Sequence, residues 1–126
     1  DKIKQLDELL RSDQSAQEVF IESHPEVCFT VLSGGRPMEH YKKKEEGIKE
    51  RLELLTQYVG NAENLVKSTV EKFGSAKVSI DDAFDALVLA LSASFGKEQI
   101  KFIPRELEYD AENLPMRMAL PLIKDP

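Results

Sequence analysis

The chain has 126 residues, 41% apolar and 32% charged, enough apolar content to build a core and too much for wholesale disorder. Its formal charge of −6 excludes a strongly basic nucleic-acid coat, so any nucleic-acid contact must come from a local patch. The single Cys28 excludes an internal disulfide scaffold and fits the reducing cytoplasm.

The longest unbroken apolar run, residues 86–91, is far short of the roughly 20 residues a bilayer crossing needs. No basic-then-apolar leader pattern is visible either. The chain opens on Asp1 rather than an initiator Met, which reads as processing or as a piece of a longer chain.

Ile3, Leu6, Leu9 and Leu10 form a helical stripe that Asp13-Gln14-Ser15 breaks. Val19-Phe20-Ile21 is β-branched and aromatic, and predicts a buried strand ending near Glu22 or Ser23. Pro25 with Glu26 behind it signals a helix start. Residues 27–32 fit a helix through Cys28, Val31 and Leu32, or an alternating strand through Val27, Phe29 and Val31. A short helix closed by Gly34-Gly35 is the favoured reading.

Residues 36–44 predict an exposed loop, basic at its end. An amphipathic helix over about residues 43–59 follows, with Ile48, Leu52, Leu55 and Val59 inside and Glu45, Lys49, Glu50 and Glu53 outside. Gly60 ends it, and Asn61 caps a further helix carrying Leu65, Val66, Val70 and Phe73 before Gly74. Ser79-Ile80-Asp81-Asp82 has the form of a capping box, and the helix it starts runs to about Phe95. That helix is apolar on almost every side, the pattern of a core helix. After Gly96 the pattern is irregular through Pro104 and an acidic loop, residues 106–113. Leu114, Met116, Met118 and Leu120 then alternate as a last strand, with Pro115 and Pro121 marking a sheet edge. Five helices and two strands some ninety residues apart make a poor sheet, which suggests that further strands belong to the domain.

Asp82 and Asp85 lie three apart and so share a helix face. A first-turn acid such as Asp81 or Asp82 is explained by capping and the helix dipole. Asp85 lies nearly two turns in, among Phe84, Ala86, Leu87 and Val88, and needs a cation, a donor or a wet cleft. Glu22 follows the expected strand directly, where open α/β sheets point groups into a binding crevice. Together these acids form a hard-oxygen set suited to Mg²⁺ or Mn²⁺ rather than zinc. Two such ions about 3.5–4 Å apart can drive phosphodiester hydrolysis. His24 and His40 lack the set of Cys partners that a structural zinc site needs. Ser33-Gly34-Gly35 lacks the Lys-Ser/Thr of a phosphate loop. His40-Tyr41-Lys42-Lys43-Lys44 is the basic cluster, and three lysines opposing a helix dipole favour an anionic partner such as nucleic-acid phosphate.

Glu22-Ser23-His24-Pro25-Glu26, then Lys42-Lys43-Lys44 with Gly47 and Arg51-Leu52, then Asp81-Asp82-Ala83-Phe84-Asp85-Ala86-Leu87, resemble in order and spacing a domain-of-unknown-function family of predicted RNase H-like nucleases. The tail from Ile103-Pro104-Arg105-Glu106 through Leu114-Pro115-Met116-Arg117-Met118 resembles how such chains end. The Asp82-x-x-Asp85-Ala-Leu motif is also similar to the acidic helix of RuvC-type junction resolvases. The resemblance implies an RNase H-like α/β fold with Glu22, Asp82 and Asp85 as catalytic metal ligands. His24, Glu26, Lys43 and Arg51 would border the site. Such enzymes carry a further Asp on their first strand, whereas the residues before Val19 here read as helix. Residues 1–126 are therefore expected to form one incomplete domain, the C-terminal part of a longer chain and inactive alone. The alternative is a non-catalytic module that keeps the fold and binds nucleic acid or protein through its basic loop. A third reading, a plain helical interaction domain, would require the expected strands to be helical. No membrane association is expected, and an exposed strand edge would invite homo-oligomers.

Overall fold

The computed structural model describes residues 1–122. Six α-helices precede a β-hairpin: α1 Lys2–Ser12, α2 Ala16–Val19, α3 Pro25–Leu32, α4 Glu45–Tyr58, α5 Ala62–Phe73 and α6 Ile80–Ser94. A 3₁₀ turn at Lys97–Gln99 leads into β1 Ile100–Tyr109 and β2 Pro115–Pro121. Among the described residues the architecture is mixed α/β, helix-rich, with one two-stranded antiparallel sheet.

The helix at the centre is α6. Ser79 Oγ accepts the Asp82 N–H at 3.3 Å, and the Asp82 carboxylate accepts the Ser79 N–H at 3.1 Å, so the capping box closes as the sequence predicts. The apolar run behind it meets α3, α4, α5 and β2. Ala83, Phe84, Val88 and Leu91 pack with Cys28, Phe29 and Leu32 of α3, Leu54 and Leu55 of α4, Val66 of α5 and Leu120 of β2. Complete burial of Phe29, Phe84, Leu55 and Val88 contributes about 1.5–3 kcal/mol each. Residues 27–32, open to two readings in sequence, are helical, with Pro25 at the first turn.

Two segments differ from the sequence reading. Val19 ends a helix rather than opening a strand, and it is 74% exposed, with Phe20 51% exposed. The cause is local. The Asp13 carboxylate accepts the Ser15 N–H and hydroxyl at 2.9 and 2.6 Å, and the turn so formed runs on into α2. Of the expected strand only Glu22 pairs, by a single parallel bridge to Met118, with the Ala119 N–H donating to Glu22 O at 2.7 Å.

The second difference is β1, which occupies residues expected to be irregular. Its pairing runs from Ile100 opposite Pro121 to Ile103 opposite Met118, shifts, and resumes with Glu108 opposite Met116. Pro104 falls where the pairing is interrupted, so its missing N–H breaks no ladder bond. The acids at 106 and 108 stay exposed. Asp110 accepts the N–H groups of Glu112 and Leu114 at 2.9 and 2.8 Å and closes the turn. A lone hairpin is marginal. This one is held by Leu120 in the core and by the Ser23 hydroxyl, which donates to Ala119 O at 2.7 Å.

Candidate functional site

The first turns of α6 carry three acids, and the fold separates them. Asp82 turns back to Ser79, whose hydroxyl and N–H hydrogen bonds hold its carboxyl below the ordinary range. Asp81 and Asp85, four apart, share the other direction, toward the segment between α3 and α4. There Lys42 Nζ donates to Asp85 Oδ2 at 2.8 Å and lies 3.7 Å from Asp81 Oδ2. The Asp85 hydrogen bond raises the Lys42 pKa against a lowering by burial, and the charges of Asp85, Asp81 and Glu26 add to the rise. Asp85 Oδ1 is buried and has no hydrogen-bond partner among the described residues. An orphaned buried acceptor costs about 1–3 kcal/mol.

The segment that delivers Lys42 is strapped to α4. Glu50 accepts the Glu39 N–H at 2.8 Å and the His40 N–H at 3.0 Å. Burial pushes the Glu50 carboxyl up, but those two N–H groups, with the charges of His40 and Arg51, together hold it below its ordinary value. The neighbouring Arg51, 3% exposed, donates to His40 O at 3.1 Å and Gly47 O at 3.0 Å. Its other nitrogens meet both oxygens of Glu26 at 2.8–3.2 Å, and its guanidinium lies 5.5 Å over the Phe29 ring. Adjacent residues of α4 thus grip the N–H and the C=O of His40. Gly47 completes the strap, because a Cβ there would meet the Tyr41 carbonyl oxygen and sit 2.7 Å from its carbon.

The other residues singled out in sequence are dispersed. Glu22 is exposed and lines an apolar groove of about 500 Å³ with Phe20, Ile21, Ile103, Met116 and Met118. No member of the Lys42–Asp81–Asp85 cluster is in that wall. His24 is exposed at the start of α3 and makes no side-chain cap bond. Lys43 is exposed beside Lys42, whereas buried Arg51 and half-buried Glu26 form the ion pair of the strap. Among the described residues no three His, Cys, Asp or Glu side chains gather as a metal site, so Glu22, Asp82 and Asp85 are not brought together. Asp81 and Asp85 are. Their carboxylates converge on one ammonium nitrogen, and hard oxygen donors of this kind suit Mg²⁺ or Mn²⁺. Sequence reasoning set Asp81 aside as a capping acid. The signal that finds it is the four-residue step to Asp85, once the capping box has claimed Asp82.

These observations define a small helix-rich α/β domain whose central helix presents an acidic pair under a strapped lysine. The profile of a family described as protein of unknown function (DUF429) matches residues 1–108, and the chain belongs to that family. The match includes every acid and cation of the strap and the acidic pair, and ends within β1, before β2. Searches of curated proteins and of solved structures give no significant match.

Proposed function

We propose that the protein is a divalent-metal-dependent phosphodiester hydrolase with an RNase H-like fold, in which Asp85, assisted by Asp81, faces the metal. The observation that carries this reading is the buried, unpartnered Asp85 Oδ1 beside an Oδ2 already engaged by a cation. A fold that leaves a carboxylate oxygen orphaned at such a point has room in its bonding for one more positive ligand. Bound Mg²⁺ or Mn²⁺ would supply Lewis-acid activation of water and of a phosphoryl oxygen. Lys43, exposed beside the cluster, offers a charge to backbone phosphate. Glu26 and Arg51 hold the strap in place, and Glu22 and Asp82 are the further acids that the family resemblance implies.

The test is cleavage of single- and double-stranded DNA and RNA by the full-length gene product with Mg²⁺ or Mn²⁺. Asp85→Asn and Glu22→Gln should each abolish cleavage, and an unchanged rate in either variant refutes its assignment.

One observation favours a second reading, a non-catalytic module that binds nucleic acid or protein. Lys42 already neutralises Asp85, and no third carboxylate joins the pair among the described residues. Titration of the full-length protein with millimolar Mn²⁺, giving neither heat nor thermal shift, would favour that module.

A further inference from the structure

We propose that Lys42 is a built-in competitor for the cation position between Asp81 and Asp85: its ammonium seats there when no divalent ion is bound and must leave when one arrives. The inference rests on the hydrolase reading and adds a control to the same site.

Three features carry it. The ammonium nitrogen lies within 4 Å of a carboxylate oxygen of both acids, which is where an ion shared by them would sit. Lys42 nevertheless satisfies the pair incompletely, since Asp85 Oδ1 stays buried without a partner among the described residues. A compact ammonium with three donors cannot wrap both carboxylates as a multivalent ion with a larger coordination number can. Lastly, the backbone beside Lys42 is fixed on two sides, by Glu50 and Arg51 at His40 and by the close approach of Tyr41 to Gly47. A side chain tethered this way competes at a high local concentration without any free ligand in solution. The strap fixes the backbone only; the Lys42 side chain is 29% exposed and can swing outward.

A ligand that binds only the minor open state has its affinity reduced by the fraction open. A seated fraction of about nine-tenths would correspond to a roughly tenfold gain in Mn²⁺ affinity on removing Lys42. The experiment is Mn²⁺ titration calorimetry on full-length wild type, Lys42→Met, Glu50→Gln and Lys42→Met/Asp85→Asn. Lys42→Met should bind about tenfold tighter than wild type. Glu50→Gln, which loosens the strap but keeps the lysine, should fall between them, and the double variant should lose the gain. Equal affinity in wild type and Lys42→Met, or no Mn²⁺ binding in either, overturns the competitor. Loss of cleavage in Asp85→Asn separately upholds the hydrolase reading, so the two failures are distinguishable. A second measurement needs no variant: in the wild type, Mn²⁺ should speed acetylation of Lys42 Nζ by acetic anhydride several-fold, read by mass spectrometry. An unchanged labelling rate also overturns the proposal.

Discussion

A methyl group at position 47 would press against the Tyr41 carbonyl, so one atom decides whether the Lys42 strap can lie on α4. Gly→Ala inside a helix ordinarily stabilises by about 1 kcal/mol. Here the sign should reverse, with Gly47→Ala lowering the urea midpoint; an equal or higher midpoint would show that the strap yields freely. Arg51 acts at the same scale. Its guanidinium is buried and satisfies Glu26 and two carbonyls, so Arg51→Leu should cost about 3 kcal/mol in chemical denaturation. The lower end of the range for buried pairs applies, because Glu26 keeps partial access to water. Titration supplies two further expectations of opposite sign. The Lys42 pKa is raised above 10.5, so the contribution of its ion pairs is complete below that value and is lost as pH climbs through the raised one. The Glu50 pKa is depressed below 4.5, so its contribution is present above 4.5 and is lost as pH falls through the lowered value. Stability measured against pH should therefore flatten on the alkaline limb in Lys42→Met and on the acid limb in Glu50→Gln.

At the level of elements, α6 combines two tasks that its first turn keeps apart. The capping box takes Asp82 and leaves Asp81 and Asp85 to face the strap. Ser79→Ala should cost about 1 kcal/mol of thermal stability and shift little at Lys42, because the cap lies off the cluster face. The hairpin shows the opposite dependence. β1 carries no strand pattern in sequence, yet the ladder forms because the alternating β2 is anchored at Leu120 and at Ala119, and β1 completes it. Arg117 adds to the anchoring, with its guanidinium 4.6 Å over the Phe102 ring and a bond to Gln17 O at 3.4 Å. On the other side of the sheet the extended stretch before Ser23 keeps only its bridge at Glu22, and Phe20 stays in water.

For the molecule as a whole, the core runs through α6 and reaches the sheet at one end of the hairpin only. Leu120→Ala, at that junction, should destabilise by about 2–4 kcal/mol in urea. Met116→Ala, 45% exposed farther along the same strand, should stay within about 0.5 kcal/mol. Similar losses at both positions would mean that the hairpin packs along its full length. Much of this organisation is legible in sequence. The glycines at 34 and 74, the prolines at 25 and 115, and Ser79 punctuate the chain close to where its helices and final strand begin or end. The outer limits of α4 and α6 fall within about two residues of their apolar patterns. Less legible is the inner face of α4, where Arg51 is buried and the periodicity of leucines and isoleucines gives no hint of it.

Five of the six helices, the capping box, the core role of α6 and the family resemblance are legible in sequence alone. Each rests on residues within a turn or two of one another, or on residue identity alone. Only the tertiary structure decided which acids of α6 meet, because Asp82 is claimed locally while Asp85 finds its partner 43 residues away in Lys42. It also decided that the stretch before Glu22 is not a buried strand and that residues 100–109 are a strand. A strand exists only where another chain segment completes its hydrogen bonds, and Ser23 meets Ala119 across 96 residues. No local pattern encodes such a meeting. The site, built from one helix, one strap and their opposed charges, inherits that dependence.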